Sequence, residues 1–335
     1  MKPVIFGVSG LSLTDDERAF FKEANPLGYI LFKRNCGDRA QMRALTDSIR
    51  ELTGRADVPI LIDQEGGRVA RMQPPEWQAF PEGAAFNALY EKAPISAIEA
   101  ARANYHALAL MLHEVGVNVD CAPLLDVVTP QVTQAIGDRA FGGEPMQVAA
   151  LGRAAVEGLC RGGVVGVVKH MPGHGRAMVD SHLELPRVKA DGAALEVDIE
   201  PFRSNKDAPM GMTCHVVFEA WDAERPATLS PTVISEIIRG SIGFDGLLMT
   251  DDIDMKALSG TAGEKATRAL AAGCDVVLDC WARMDEMVEI AGLIGEATPE
   301  CVTRLDRALA TVAGGPDRRE MAELTAIRDE LLALA

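Results

Sequence analysis

The 335-residue chain is short of basic residues: 33 lysines and arginines stand against 49 aspartates and glutamates, a formal net charge of -16 at pH 7. That deficit works against sustained contact with phosphate backbones or anionic bilayers, so neither nucleic acid nor membrane is an expected partner. Long apolar runs are also missing. No stretch is long and apolar enough to span a bilayer, and the start, Met1 to Gly10, is broken by Gly7 before it could form a signal-peptide core. The seven cysteines, Cys36, Cys121, Cys160, Cys214, Cys274, Cys280 and Cys301, form neither the close pairs of a zinc site nor a disulfide framework. A reducing cytoplasm is the expected compartment. No linker divides the chain, and no Gly-x-Gly-x-x-Gly turn follows the first apolar run, which removes the main signature of a dinucleotide-binding sheet.

What is present is alternation. With 48% hydrophobic residues the chain can bury a large core. Eight short apolar runs read as strands: Val4 to Val8, Tyr29 to Phe32, Pro59 to Ile62, Val117 to Cys121, Val164 to Val168, Met210 to Cys214, Gly246 to Met249 and Cys274 to Leu278. Amphipathic segments lie between them: Thr14 to Ala24, Asp38 to Leu52, Pro94 to Val115, Met146 to Arg161, Gly192 to Arg203, Ser230 to Arg239 and Gly263 to Ala272. Thr14-Asp-Asp-Glu17 has capping-box spacing, and Pro231 follows Ser230 at a first helical position. Eight two-faced apolar strands separated by helices suit an α/β fold, a closed (β/α)8 TIM-type barrel, in preference to an open doubly wound sheet. The expected layout is a single domain over 1–335, with the barrel over about 1–295 and two further helices over about 299–335 packed outside it.

Barrel chemistry gathers where strands end. Strand three runs into Asp63-Gln-Glu-Gly-Gly-Arg-Val-Ala-Arg71, strand four into Asp120, strand five into Lys169-His170, strand six into His215 and strand seven into Thr250-Asp251-Asp252. A lone aspartate after a strand is commonly a cap or turn former, and a lone histidine a hydrogen-bonded structural residue. Shared position at the strand ends changes that reading. Asp63, Arg71, Lys169, His170 and His215 form a candidate ring of donors and acceptors suited to sugar hydroxyls; the competing reading is an ion-pair network closing the barrel mouth.

The densest polar segment, Lys169-His-Met-Pro-Gly-His-Gly-Arg-Ala-Met-Val-Asp-Ser-His182, holds three of the six histidines. His170 and His174 are four apart, but Pro172, Gly173 and Gly175 oppose the helix that would put both on one face, leaving only loop geometry for a metal. Asp180-x-His182 allows a more specific arrangement. A carboxylate bonded to one imidazole nitrogen fixes the tautomer and raises the basicity of the other, giving a proton donor and acceptor that works near neutral pH. Asp251 is the candidate for the ionised carboxylate that would aim at the reacting carbon.

Taken together, Asp63 to Arg71, Gly137-Asp-Arg-Ala-Phe141, Lys169-His-Met-Pro-Gly-His-Gly175, Asp180-Ser-His182, Met212-Thr-Cys-His215 and Thr250-Asp-Asp-Ile-Asp-Met255 closely resemble the bacterial β-N-acetylglucosaminidases of glycoside hydrolase family 3, the cytoplasmic enzymes of cell-wall recycling. The resemblance implies a retaining glycosidase that needs no metal or other cofactor. Its substrate would be non-reducing terminal β-linked N-acetylglucosamine, physiologically in an anhydro-muropeptide. It places sugar binding on Asp63, Arg71, Arg139, Lys169 and His170, the acid/base dyad on His182 and Asp180, and the nucleophile on Asp251. Met171 stands where the family commonly has phenylalanine, and Asp251 is preferred to Asp252 because the family's nucleophile directly follows Ser or Thr. The segment Arg176 to Val179 is expected to move His182 into place when substrate binds. A monomer is expected. Two rival activities share these residues: a phosphorylase on the same site, and a metal-dependent hydrolase using His170, His174, His182 and Asp251. A sugar-binding protein without catalysis is the third alternative.

Overall fold

Alternation of inward and outward side chains along eight short strands decides the architecture. In the computed structural model, which describes Met1 to Ala335, the strands are β1 (Lys2–Gly7), β2 (Pro26–Leu31), β3 (Ile60–Ile62), β4 (Val119–Asp120), β5 (Val165–Met171), β6 (Met210–Thr213), β7 (Leu247–Asp252) and β8 (Val276–Asp279). They pair in parallel and in chain order, and β8 returns to β1 through Val4 opposite Val277, so the sheet is a closed barrel. Ile5, Leu61, Val119, Val167, Met210, Met249 and Leu278 form one buried cluster, the barrel interior. Their strand neighbours, among them Phe6, Ile60, Val168, Leu248 and Val277, belong to the larger cluster between strands and helices.

Ten α-helices accompany the strands: α1 (Asp15–Ala24), α2 (Arg39–Thr53), α3 (Gly83–Tyr90), α4 (Pro94–Glu114), α5 (Pro145–Arg161), α6 (Gly192–Ser204), α7 (Ala262–Ala272), α8 (Met284–Leu293), α9 (Pro299–Ala310) and α10 (Met321–Leu332). The capping box expected at Thr14 and Glu17 is formed in both directions. The helix expected from Ser230 is wound with a wider π repeat over Val233–Ser241. Helices α3 and α8 lie outside the expected segments; both are short, and neither carries a side-chain cap bond at its start.

Two differences from expectation bear on the site. Strands β5 and β7 run on through Lys169–Met171 and Asp251–Asp252, so the chemistry-bearing residues stand on the rigid sheet itself. A register shift in the β5–β6 ladder between Val168 and Met171 changes the pairing at Lys169 and His170. The tail also divides its roles. Helix α10 packs outside against α4, but Cys301, Leu305 and Ala308 of α9 join the interior cluster, so α9 seals the N-terminal mouth, with Arg304 bonded to Asp275 just before β8. The barrel bottom is thereby closed and the C-terminal end left open.

Candidate active site

A cleft of about 400 Å³ opens at the C-terminal ends of the strands. Its floor is an interlocked set of charges. Lys169, buried on β5, places Nζ 3.1 Å from Asp63 Oδ1 and 2.6 Å from Glu65 Oε1. Arg71 donates from Nη2 to Asp63 Oδ2 at 3.0 Å, and Arg139 forks onto Glu65 with Nε and Nη2 each 2.8 Å from an oxygen. Asp63 and Glu65 stay side by side because Gly66 and Gly67, with φ of 101° and 56°, turn the chain back through a short antiparallel ladder to Arg71. Burial pushes both carboxyls up, but Lys169 and Arg71 hold Asp63 far below its ordinary range, and Arg139 and Lys169 hold Glu65 down at about 2. Lys169 is desolvated, yet its two carboxylate partners keep its pKa above the usual lysine value.

Beneath this floor Asp120 is fully buried. Its Oδ1 accepts from the Gln64 N–H at 3.0 Å, while Oδ2 has no partner, and burial pushes its carboxyl well above the ordinary range. Asp126, six residues on, accepts from the His174 N–H at 2.6 Å and sits 2.8 Å from His170 Nδ1. With that nitrogen engaged by a carboxylate, His170 keeps Nε2 for the cleft it lines.

Asp251 ends the inward face of β7 and accepts the Asp252 N–H at 2.8 Å. Burial raises its pKa, but the neighbouring His170 and His215 imidazoles more than offset this, so the carboxyl lies below its ordinary value and is ionised. His182 and Asp180 occupy the cleft wall on the loop after β5. Their Nδ1 and Oδ1 are 2.7 Å apart, the same oxygen accepts the His182 N–H at 2.9 Å, and the imidazole is 64% exposed. Asp180 is partly desolvated, yet the two bonds from His182 keep its carboxyl below the ordinary range.

The structure brings Asp63, Arg71, Arg139, Lys169, His170, Asp180, His182 and Asp251 around one cleft. It does not bring His215 there. That residue is fully buried beside Asp251, with Nε2 2.9 Å from the Asp252 carbonyl and Nδ1 2.7 Å from Thr228 Oγ1; both nitrogens serve the protein. Nor do His170, His174, His182 and Asp251 converge as a metal set. His170 Nδ1 faces Asp126, His174 Nε2 lies 3.2 Å from Ser181 Oγ, and no three His, Cys, Asp or Glu side chains meet as ligands. Burial and the His170 imidazole lower His174 to about 4, keeping it neutral.

Sequence reasoning missed Glu65 and Asp126. Glu65 is two residues beyond Asp63, so the two-residue strand period was the available signal; Asp126 lies in a loop and carried none. A larger cavity, about 560 Å³, lies at the opposite end among Arg43, His113, Asn118 and Asp306, and holds none of these groups.

Residues 7–313 match the glycosyl hydrolase family 3 N-terminal domain. The chain belongs to glycosyl hydrolase family 3. Its relatives include a β-hexosaminidase of Alkalilimnicola ehrlichii, 39% identical over 83% of this chain and 80% of that protein. A β-hexosaminidase of Bordetella avium is 36% identical over 94% of this chain and 90% of its own length. Among solved structures, NagZ of Neisseria gonorrhoeae in complex with N-trifluoroacetyl-D-glucosamine superimposes with a TM-score of 0.87 at 30% identity, covering 100% of this chain and 98% of that one. This family 3 protein is thus a glycoside hydrolase of the β-N-acetylhexosaminidase type on a (β/α)8 barrel. No helix in it is long and apolar enough to cross a membrane.

Proposed function

We propose that the protein is a retaining exo-glycosidase that releases non-reducing terminal β-linked N-acetylglucosamine, with Asp251 as nucleophile and His182 as acid/base. One observation carries the reading: an ionised carboxylate on a strand and a carboxylate-bound imidazole on a loop line the same cleft, whose floor is a rigid array of sugar-hydroxyl partners. The N-acylated glucosamine named with the Neisseria relative supports a sugar of this class here.

In the first displacement an Asp251 oxygen attacks the anomeric carbon, the bond to the leaving oxygen breaks, and imidazolium His182 gives its Nε2 proton to that oxygen. Asp180 steadies the imidazolium through Nδ1. In the second, His182 takes a proton from water, the water oxygen bonds to the anomeric carbon, and Asp251 departs as carboxylate, so the anomeric configuration is kept. Asp63, Arg71, Arg139, Lys169 and His170 hold the sugar's hydroxyls. His215 acts from behind, through the Asp252 carbonyl, on the strand end one residue beyond Asp251.

The exposed His182 suits a loop that closes on substrate. Arg176 is tied to Asp198 at 2.5 Å and to the Ala194 carbonyl at 3.0 Å, and Ala177 is buried, so the moving part begins at Met178 rather than at Arg176. We place the enzyme in the cytoplasm, where seven unpaired thiols are stable, as a single-domain monomer acting on muropeptide fragments of cell-wall turnover. The test is turnover of a chromogenic β-N-acetylglucosaminide. His182→Ala and Asp251→Ala are expected to lose about 10²-fold or more in kcat with folding intact; wild-type activity in Asp251→Ala would refute the assignment.

A further inference from the structure

Of the three tryptophans, Trp77 is buried and Trp221 packs on Phe218, but Trp281 is 56% exposed and lines the cleft. An indole more than half exposed at the mouth of a polar cleft leaves a large apolar surface in water. Its backbone is held on both sides. Arg34 donates to the Cys280 carbonyl and, through Nε at 2.8 Å, to the Val8 carbonyl. Arg283 reaches Asp254 at 2.5 Å and Glu286 at 2.6 Å. Between them Ala282 has φ of 56°, a left-handed conformation that alanine adopts only when its surroundings impose it. The residues on either side of Trp281 are therefore anchored.

The barrel order sets where Trp281 stands. Trp281 follows β8, next to the strand of Asp251, while the hydroxyl-binding floor hangs from β3 and β5, each three strands away around the barrel. The floor accounts for the terminal sugar; the exposed platform at the mouth has the chemistry to meet whatever ring is joined to it. A pyranose or aryl ring offers an apolar face that packs flat on an indole. We propose that Trp281 is a specificity-determining residue that stacks on the leaving-group ring of the substrate. This rests on the retaining-glycosidase reading above.

The consequence is kinetic. The leaving group is gone once the glycosyl-enzyme forms, so its contact affects only steps up to that bond cleavage. Trp281→Ala and Trp281→Phe are compared with wild type on N,N'-diacetylchitobiose, which has a sugar ring as leaving group, and on methyl β-N-acetylglucosaminide, which has one carbon. The expected result for Trp281→Ala is a fall of about tenfold in kcat/KM on the disaccharide, little change on the methyl glycoside, recovery in Trp281→Phe and an unchanged melting temperature. Equal losses on both substrates, or none on either, overturn the proposal while leaving the enzyme reading intact. Failure of the wild type on both substrates overturns the two together.

Discussion

Burial alone does not decide the charge of a carboxyl in this protein; its partners do, and two residues show opposite outcomes. Glu65 is buried but forked by Arg139 and bridged by Lys169, which holds it at about 2. Its contribution to stability is present above the ordinary glutamate range and is lost as pH falls from about 5 to about 2, amounting to about 3 kcal/mol. Glu65→Gln should be less stable at pH 7 and decline less steeply on acidification in thermal melts; parallel acid profiles would contradict this. Asp279 has the contrary setting. It is 1% exposed, neither oxygen has a partner, and burial reinforced by Asp252 and Glu286 lifts it to about 7. The folded form then holds a proton that the unfolded chain releases, so stability falls as pH rises from about 4 to about 7. Asp279→Asn should melt above wild type by a margin that widens over that range, reaching about 2–4 kcal/mol by pH 8; a margin independent of pH would rule the explanation out.

At the scale of elements, precision and mobility are allotted to different parts. Lys169, His170 and Asp251 stand on strands, whereas His182 stands on a loop whose near end is pinned by Arg176 and in which the Met178 and His182 side chains are exposed. A substrate analogue should slow amide hydrogen exchange from Met178 to His182 and leave Arg176 and Ala177 as protected as before. Equal protection of the whole segment with and without the analogue would contradict loop closure. Elements also show what was legible in the sequence. All eight strands follow from apolar runs, because a strand buried on both faces must be apolar throughout. The ends of β5 and β7 escaped that reading, since Lys169, His170, Asp251 and Asp252 look like loop residues until their partners across the barrel are known. Helix α9 escaped for a similar reason: its apolar stripe of Cys301, Leu305 and Ala308 announces burial but not against which surface.

For the whole molecule, closure of the barrel converts residues far apart in sequence into one site. The motif residues read along the chain identified most of the cleft, because Asp63, Lys169 and Asp251 each stand at or beside the C-terminal end of a strand and a parallel barrel gathers strand ends on one rim. What the linear order withheld is direction. His215 follows β6 by two residues, yet it points to Thr228 and the Asp252 carbonyl, while Asp126 and Trp281 also lie off the strands. The central claim is that Asp251, not the adjoining Asp252, becomes bonded to the sugar. The most direct measurement is peptide mapping after trapping the glycosyl-enzyme with a fluorinated N-acetylglucosamine substrate analogue. The account predicts one added glycosyl group, carried by Asp251; an adduct on Asp252, or turnover of the analogue with inversion and no adduct, would contradict it.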